Sequence, residues 1–146
     1  MRELDAKDRD ILSILSKEAR IPLKTLAGRI GLSRSATSER VALLEKSGII
    51  RGYRADIGQI DKGLVSAYLL VTLVRTPSLG VLDQLARFAE VRRVSSVSGQ
   101  LDLIVEVETS SIDRLNTLRD AIASHESVED LTTSIILRRD IERTPG

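Results

Sequence analysis

The chain has 146 residues, of which 42% are hydrophobic and 2% aromatic, and it contains no cysteine. This length fits one domain of ordinary size or two small ones, with cores built from aliphatic side chains. The absence of cysteine excludes disulfides, cysteine-ligated metals and thiol chemistry. The formal net charge of +1 says little by itself, so the distribution of charge along the chain carries more information.

The first ten residues, MRELDAKDRD, are too charged to form the apolar core of a signal peptide. No apolar run reaches the length of a membrane span. The lack of cysteine is also compatible with a reducing compartment. We therefore expect a soluble, cytoplasmic protein that has no membrane partner.

The first two helices are predicted from capping residues and apolar spacing. Asp5, followed three residues later by Asp8, favours a cap for the first helix, and acids suit its positive N-terminal end. Pro22 suits the opening of the second helix, where no N–H is needed. The apolar stripe of the first helix contains Ile11, Leu12, Ile14, Leu15 and Ala19, and the buried face of the second contains Leu23, Leu26, Ala27 and Ile30.

Two glycines mark the second helix and its end. Gly28 inside the helix costs up to about 1 kcal/mol relative to Ala, and close packing of two helices would be one compensation. Gly31 can adopt the left-handed conformation that ends a helix and redirects the chain. The turn Gly31-Leu32-Ser33 between two helical patterns is typical of a helix-turn-helix.

Ser33 is the predicted N-cap of the third helix. Thr37, Val41 and Leu44 share one face, which must point at the first two helices. In a helix-turn-helix, the N-terminal part of this helix enters the major groove of DNA. The face opposite to Thr37 and Leu44 carries Arg34, Ser35, Ser38, Glu39, Ala42 and Lys46.

Gly48 is the expected end of the third helix, and Ile49, Ile50 and Tyr53 begin an extended, β-like run that would serve as a wing. A turn-rich connector, DIGQIDKG, follows at 56–63. We therefore predict a DNA-binding domain at 1–55, a linker at 56–65 and a second domain at 66–146.

Basic charge is concentrated on the predicted helix-turn-helix. Residues 1–63 contain 13 Lys/Arg and 9 Asp/Glu, whereas residues 64–146 contain 9 and 12. Between residues 20 and 54 the acids are only Glu39 and Glu45. This coincidence of charge and motif favours DNA as the partner. The candidate DNA contacts are Lys24, Thr25, Arg34, Ser35, Ser38, Glu39, Arg40, Lys46, Arg51 and Arg54. The alternative is that the serines are ordinary exposed residues and that Arg40 pairs with an acid of the first helix.

The second half has the predicted order βαββαβ, a ferredoxin-like arrangement. Strands are predicted at 66–76, 91–98, 101–109 and 128–137, helices at 79–89 and 111–124, and a turn at Gly99-Gln100. Leu69, Val71 and Leu73 alternate either on the helix side of the sheet or on its other face. An apolar uncovered sheet face would predict dimerisation.

Taken together, the motifs resemble those of Lrp/AsnC (feast/famine) transcriptional regulators. The resemblance covers the whole chain and is carried by Leu4-Asp5…Asp8…Ile11-Leu12, Leu26-Ala27…Ile30-Gly31-Leu32-Ser33, Arg40-Val41…Leu44-Glu45…Gly48-Ile49-Ile50…Gly52-Tyr53 and Val97-Ser98-Gly99…Asp102. It implies an α+β protein with an N-terminal winged helix-turn-helix and a C-terminal ferredoxin-like (RAM-type) domain. It also implies double-stranded DNA as a partner, a homodimer that assembles further, commonly to an octamer, and transcription regulation.

The resemblance also implies a small effector, usually an amino acid, and no other cofactor. By position, the effector would lie at the glycine turn and the last strand, and the residues implied are Ser98, Gly99, Gln100, Asp102, Thr132, Thr133 and Ser134. An ionised Asp102 could hold an α-amino group, and glycine lets backbone N–H groups approach a carboxylate. The alternative is that Asp102 caps a hairpin turn and the hydroxyl run is ordinary strand sequence.

Two other function classes are weighed against DNA-binding regulation. Sirohaem decarboxylases resemble these regulators, but their chemistry would need a basic pocket with histidine. The only histidine is His125, at a predicted helix end, so we expect no enzyme and no metal site. A ligand-sensing assembly module without DNA binding is the third class, and the positive charge at 20–54 argues against it.

Overall fold

The structure is a computed structural model, and it describes residues 3–57 and 63–142. The described residues fall into two compact units, 3–57 together with residue 142, and 63–141. Part of the predicted linker at 56–65 therefore lies outside the described residues. Among the described residues, no helix combines the length and the apolar character needed to cross a bilayer.

The first unit contains three helices: α1 (Ala6–Leu15), α2 (Leu23–Ile30) and α3 (Arg34–Lys46). The predicted cap of α1 is confirmed as a reciprocal capping box. The N–H of Asp8 donates to Asp5 Oδ1 at 2.8 Å, and the N–H of Asp5 donates to Asp8 Oδ2 at 3.4 Å. The core of the unit is built from Ile11, Leu26, Ile30 and Leu44.

The turn between α2 and α3 also forms as predicted. Gly31 has φ 67° and ends α2 in the left-handed conformation. Ser33 caps α3, because its hydroxyl accepts from the N–H of Ala36 at 3.2 Å. The buried Thr37 hydroxyl donates to the carbonyl of Ser33 at 2.8 Å. This hydrogen bond satisfies the hydroxyl on the buried face of α3.

Gly28 does not have the role that we considered for it. It lies exposed on α2, and a Cβ placed there meets no atom of the described residues within 4 Å. Close helix packing is therefore not what compensates for this glycine. We expect Gly28→Ala to raise the free energy of unfolding by up to about 1 kcal/mol, because Ala is the better helix former. Thermal denaturation measures this, with Gly31→Ala as the matched variant.

The matched variant is expected to change stability in the opposite direction. An alanine at φ 67° is strained, at a cost of about 1–2 kcal/mol. Equal melting temperatures for wild type and Gly28→Ala would contradict the prediction.

The β-like run predicted after Gly48 is not a strand in the described residues 49–57. After Gly48, which has φ 74°, the N–H of Ile50 bonds back to the carbonyl of Leu44 at 3.0 Å. Ile49 and Ile50 are then half-buried against the helical core. A strand needs a second strand to satisfy its backbone, and the apolar residues here close the end of α3 instead.

The second unit has the predicted order βαββαβ: β1 (Val65–Leu73), α4 (Leu79–Ala86), β2 (Val91–Ser96), β3 (Leu103–Thr109), α5 (Ile112–Ala123) and β4 (Val128–Ile135). The sheet order is β2-β3-β1-β4, with antiparallel neighbours. In β1 and β3 every second residue is buried, including Leu69, Val71 and Val105. These side chains and the buried faces of α4 and α5 form one core.

The other face of the sheet is only partly apolar. Because Leu69, Val71 and Leu73 are buried in the core with the helices, this face carries the intervening residues. Tyr68, Leu70 and Ile104 are half-buried there, and Glu106 and Arg93 form an ion pair at 3.4 Å. Of the two alternatives for Leu69, Val71 and Leu73, the helix side is therefore the correct one, and the other face mixes apolar and charged groups.

Candidate nucleic-acid interface and effector cavity

The exposed face of α3 is a stripe of four residues, which we call the α3 stripe. Ser35, Glu39, Ala42 and Lys46 follow one another at spacings of four, three and four, and all four are exposed. This spacing keeps them on one side of a helix. Thr37 and Leu44, which are fully buried, fix the opposite side against the core. The stripe is therefore the surface that α3 offers to a partner.

Most of the predicted DNA contacts lie exposed in this unit. Ser38 lies on one flank of the α3 stripe. The other exposed members are Lys24 and Thr25 at the start of α2, Arg34 at the start of α3, and Arg51 and Arg54 beyond its end. Cations placed at both ends of a helix can meet the phosphates on either side of a groove.

Arg40 has a different role from the one first predicted. Its Nη1 donates to Asp5 Oδ2 at 2.7 Å and to Asp8 Oδ1 at 2.9 Å. The Asp8 side chain is only 1% exposed. The alternative interpretation, in which Arg40 pairs with acids of the first helix, is the one that the geometry favours. Arg40 thus ties α3 to the N-terminus of α1, and we leave it out of the proposed base contacts.

The Arg40 ion pairs predict an effect on stability and its pH dependence. The backbone N–H of Asp8, and then the Arg40 guanidinium, hold the pKa of Asp5 below its ordinary value. A lowered folded-state pKa stabilises the fold above the unfolded pKa, near 3.9, and this stabilisation is lost as the pH falls through the folded value. We expect Arg40→Ala to lower the melting temperature at pH 7, and the deficit to shrink below about pH 4.

Arg29→Ala is the matched control for this measurement, since Arg29 pairs with Glu18 at 2.6 Å in an exposed position. Exposed pairs contribute little, so its melting temperature should stay near that of wild type. If Arg40→Ala melted at the wild-type temperature at pH 7, the proposed contribution of Arg40 to stability would be wrong.

Glu45 has a partner that the sequence analysis missed. Its Oε1 accepts from the hydroxyl of Tyr53 at 2.8 Å. Burial, and then the bond to Glu45, raise the pKa of Tyr53 to about 12. The Tyr53 side chain therefore reaches back from the segment after α3 and holds one of the two acids of this region.

Asp102 is held by backbone groups at the end of the sheet where β1 ends and β3 begins. Its Oδ2 accepts from the N–H of Leu73 at 2.7 Å, and its own N–H donates to the carbonyl of Val71 at 2.9 Å. The carbonyl of Asp102 accepts from the N–H of Val97 at 3.0 Å. Asp102 thus joins the ends of β1, β2 and β3. A carboxylate can accept further hydrogen bonds beyond this one.

A cavity of about 340 Å³ opens beside Asp102. Its polar side chains come from Asp102, Ser96, Thr76 and Ser78. The remaining lining residues are Leu73, Pro77, Leu82, Val97 and Leu103. Ser78 is also the N-cap of α4, and its side chain makes no capping hydrogen bond. The cavity therefore has a carboxylate and the N-terminal end of a helix on a largely apolar lining.

Of the predicted effector residues, only Asp102 lines this cavity. Ser98, Gly99 and Gln100 do not line it; they form the exposed turn between the lining residues Val97 and Asp102, where Gly99 has φ 106°. Thr132 and Ser134 pair with Leu70 and Tyr68 in the sheet and share the face away from the helices. Thr133 points to the helix side, and its hydroxyl is buried with no hydrogen-bond partner among the described residues. One chain does not bring the whole predicted set together.

Sequence reasoning missed three lining residues, Thr76, Pro77 and Ser78, because it placed Thr76 at the end of the predicted strand 66–76 and treated Pro77 and Ser78 as a break before the next helix. The topology returns this segment to the ends of β2 and β3, which no local pattern could indicate.

The single histidine has a local structural partner, and the described residues contain no candidate metal site. His125 Nδ1 accepts from the N–H of Ser127 at 3.1 Å at the end of α5, which is an ordinary local role. Within residues 3–57 and 63–142, no group of His, Asp or Glu is arranged to hold a metal ion.

Family models match both units. A winged helix-turn-helix DNA-binding model matches residues 4–51, and the Lrp/AsnC ligand binding domain matches residues 66–145. The chain is 31% identical to the HTH-type transcriptional regulator FL11 of Pyrococcus abyssi over 142 residues, which are 97% of this chain and 94% of that protein. It is also 31% identical to the proline dehydrogenase transcriptional activator of Rhodobacter capsulatus, over 75% of this chain and 73% of that one.

Solved structures show the same architecture. AsnC of Escherichia coli superposes with a TM-score of 0.84 at 27% identity, covering 99% of both chains. A transcriptional regulator of Neisseria meningitidis, solved as a complex with L-Met, superposes with a TM-score of 0.81 at 25% identity, covering 97% of this chain and 94% of that one. These relatives are regulators and not enzymes, which confirms the expected function class. The chain belongs to the Lrp/AsnC family of DNA-binding transcriptional regulators.

Proposed function

We propose that residues 1–55 bind double-stranded DNA through the α3 stripe, that 56–65 link the domains, and that 66–146 bind an effector and mediate self-association. The observation that carries this proposal is the exposed α3 stripe with free basic side chains at both of its ends. Arg34 and Lys46 are exposed and make no ion pair within the described residues, so their charge is available to phosphates. Ser35, Ser38 and Glu39 then face the bases, and Lys24, Thr25, Arg51 and Arg54 meet the backbone.

We propose that the effector is an amino acid bound in the Asp102 cavity. An ionised carboxylate suits an α-ammonium group, and the N-terminal end of α4 suits an α-carboxylate. The apolar lining from Leu73, Leu82 and Leu103 suits an aliphatic or thioether side chain. The volume of about 340 Å³ is at the lower end of the usual range for ligand sites, which favours a small ligand. The Neisseria relative with bound L-Met supports this class of ligand.

The exposed turn and the last strand fit the same proposal as outer contacts. Ser98, Gly99 and Gln100 lie at the rim beyond the cavity, and Thr132 and Ser134 would act from a neighbouring subunit. We propose that the chain works in the cytoplasm as a homodimer that assembles further, for example to an octamer. The partly apolar sheet face with Tyr68, Leu70 and Ile104 is the surface we assign to self-association.

The direct test of the DNA function is selection from a random duplex library with the full chain. We expect an enriched motif with two related half-sites, because a symmetric dimer binds a pseudo-palindrome. A library with no enriched motif would contradict sequence-specific binding. The effector is identified separately by a thermal-shift screen against the standard amino acids, since a ligand of the native state raises the melting temperature.

A further inference from the structure

The two acids of the DNA-binding region are in different situations. Glu45 accepts from the hydroxyl of Tyr53. Glu39 lies near the middle of the α3 stripe, exposed, and its carboxylate makes no hydrogen bond or ion pair within the described residues. Its neighbours on the stripe, Ser35 and Ala42, have short side chains, so the Glu39 carboxylate extends beyond both of them.

An unpaired carboxylate at this position is unfavourable against DNA in general. The phosphates are negative, and a like charge brought into the groove is repelled and loses its hydration. A carboxylate can only accept hydrogen bonds. In the major groove, the donors it can meet are the amino groups of cytosine N4 and adenine N6. Glu39 therefore gains affinity only where such an amino group stands opposite to it.

The two bases differ in what lies beside the amino group. Adenine presents the N7 acceptor next to N6, and this acceptor repels the second carboxylate oxygen. Cytosine presents a C–H group beside N4 on its own ring, and this group does not repel the second carboxylate oxygen. Glutamine, in contrast, matches adenine because its amide offers a donor and an acceptor together. A carboxylate at this position therefore favours cytosine.

We propose that Glu39 is the specificity-determining residue of the α3 stripe: it accepts a hydrogen bond from cytosine N4 in each half-site and disfavours DNA that lacks this group. This inference rests on the proposed DNA-binding mode of α3. It assigns to Glu39 two opposite effects, attraction to one base and repulsion from the rest of the duplex. Specificity here comes partly from penalising the wrong partner.

The experiment repeats the library selection with wild type, Glu39→Gln and Glu39→Ala. We expect one conserved cytosine per half-site for wild type, adenine in its place for Glu39→Gln, and no preference at that position for Glu39→Ala. The remaining motif should be unchanged. Affinity of Glu39→Ala for the wild-type motif should fall about 5- to 150-fold for each half-site, the range for one good base contact. Its affinity for random DNA should rise at low salt, because a repelled charge has been removed.

Three outcomes would overturn the proposal. They are an unchanged cytosine in both variants, adenine in the wild-type motif, and equal losses of affinity on cognate and random DNA. Ser38→Ala is the matched flank variant and should leave that cytosine in place. If wild type itself enriches no motif, the proposed DNA function fails, and this result is distinct from a wild-type motif that does not respond to Glu39. Since Glu39 is exposed and makes no hydrogen bond or ion pair within the described residues, melting temperatures should agree among the variants.

Discussion

The affinity of this protein for duplex DNA is expected to fall by about 10³- to 10⁵-fold between 50 and 200 mM salt, the range for 6–10 phosphate contacts. The proposed cations of two protomers would make about ten such contacts if all reach phosphate. They are Lys24, Arg34, Lys46, Arg51 and Arg54 in each chain. Binding of these cations releases counterions, and added salt opposes that release.

A single charge removed from the α3 stripe gives the sharper form of this prediction. Lys46→Ala should lower the magnitude of the slope of log affinity against log salt by about 0.9 per protomer. Its effect on affinity should be similar for cognate and random DNA, because phosphates carry no base identity. Fluorescence anisotropy over a salt series measures both quantities.

Arg119→Ala is the matched control for charge. Arg119 lies on α5 of the other unit, where it pairs with the adjacent Asp120 at 2.8 Å, so its removal should leave the slope unchanged. If Lys46→Ala did not change the slope of log affinity against log salt, the phosphates would not lie at the α3 stripe.

The second large effect is expected at the effector cavity. Asp102→Asn should abolish the rise in melting temperature that an active amino acid produces in wild type. At a ligand concentration of 100 times the Kd, that rise corresponds to a stabilisation of the native state by about 2.7 kcal/mol. The amide removes the charge but keeps an oxygen that can accept from the Leu73 N–H. The ligand-free variant should therefore melt close to wild type.

Further variants separate binding from folding at this site. Asp102→Ala leaves the Leu73 N–H without its acceptor and should lose about 1–3 kcal/mol of stability even without ligand. Glu126→Gln, an acid-to-amide change at an exposed residue outside the cavity, should keep the full response. If Asp102→Asn responds normally while Gln100→Ala does not, the effector lies on the exposed turn and the cavity assignment is wrong.

The local elements of the fold could be predicted from sequence because their causes are local. Asp5 and Asp8 are three residues apart, as a capping box requires, and Gly31 and Ser33 place the helix end and the next cap within three residues. The alternation in β1 and β3 likewise follows from a period of two. Such patterns need no knowledge of distant residues.

The errors concern contacts between residues that are far apart in sequence. The position of Arg40 in the third helix predicts a contact with DNA. In the structure it instead bonds to Asp5 and Asp8, which lie more than 30 residues away in sequence. The Asp102 cavity needs the segment Thr76–Ser78, which only the sheet topology brings near β3. The run after Gly48 has strand composition, but its isoleucines pack on the helical core instead.

If the α3 stripe reads sequence in DNA, the protein must bind cognate DNA much more tightly than random DNA, and the ratio of these two affinities can be measured. The selected motif and a shuffled fragment of the same length are titrated at the same salt concentration. We expect the motif to bind at least 10³-fold more tightly, and Glu39→Ala to reduce that ratio. Equal affinities for the two fragments would show that the α3 stripe does not read sequence.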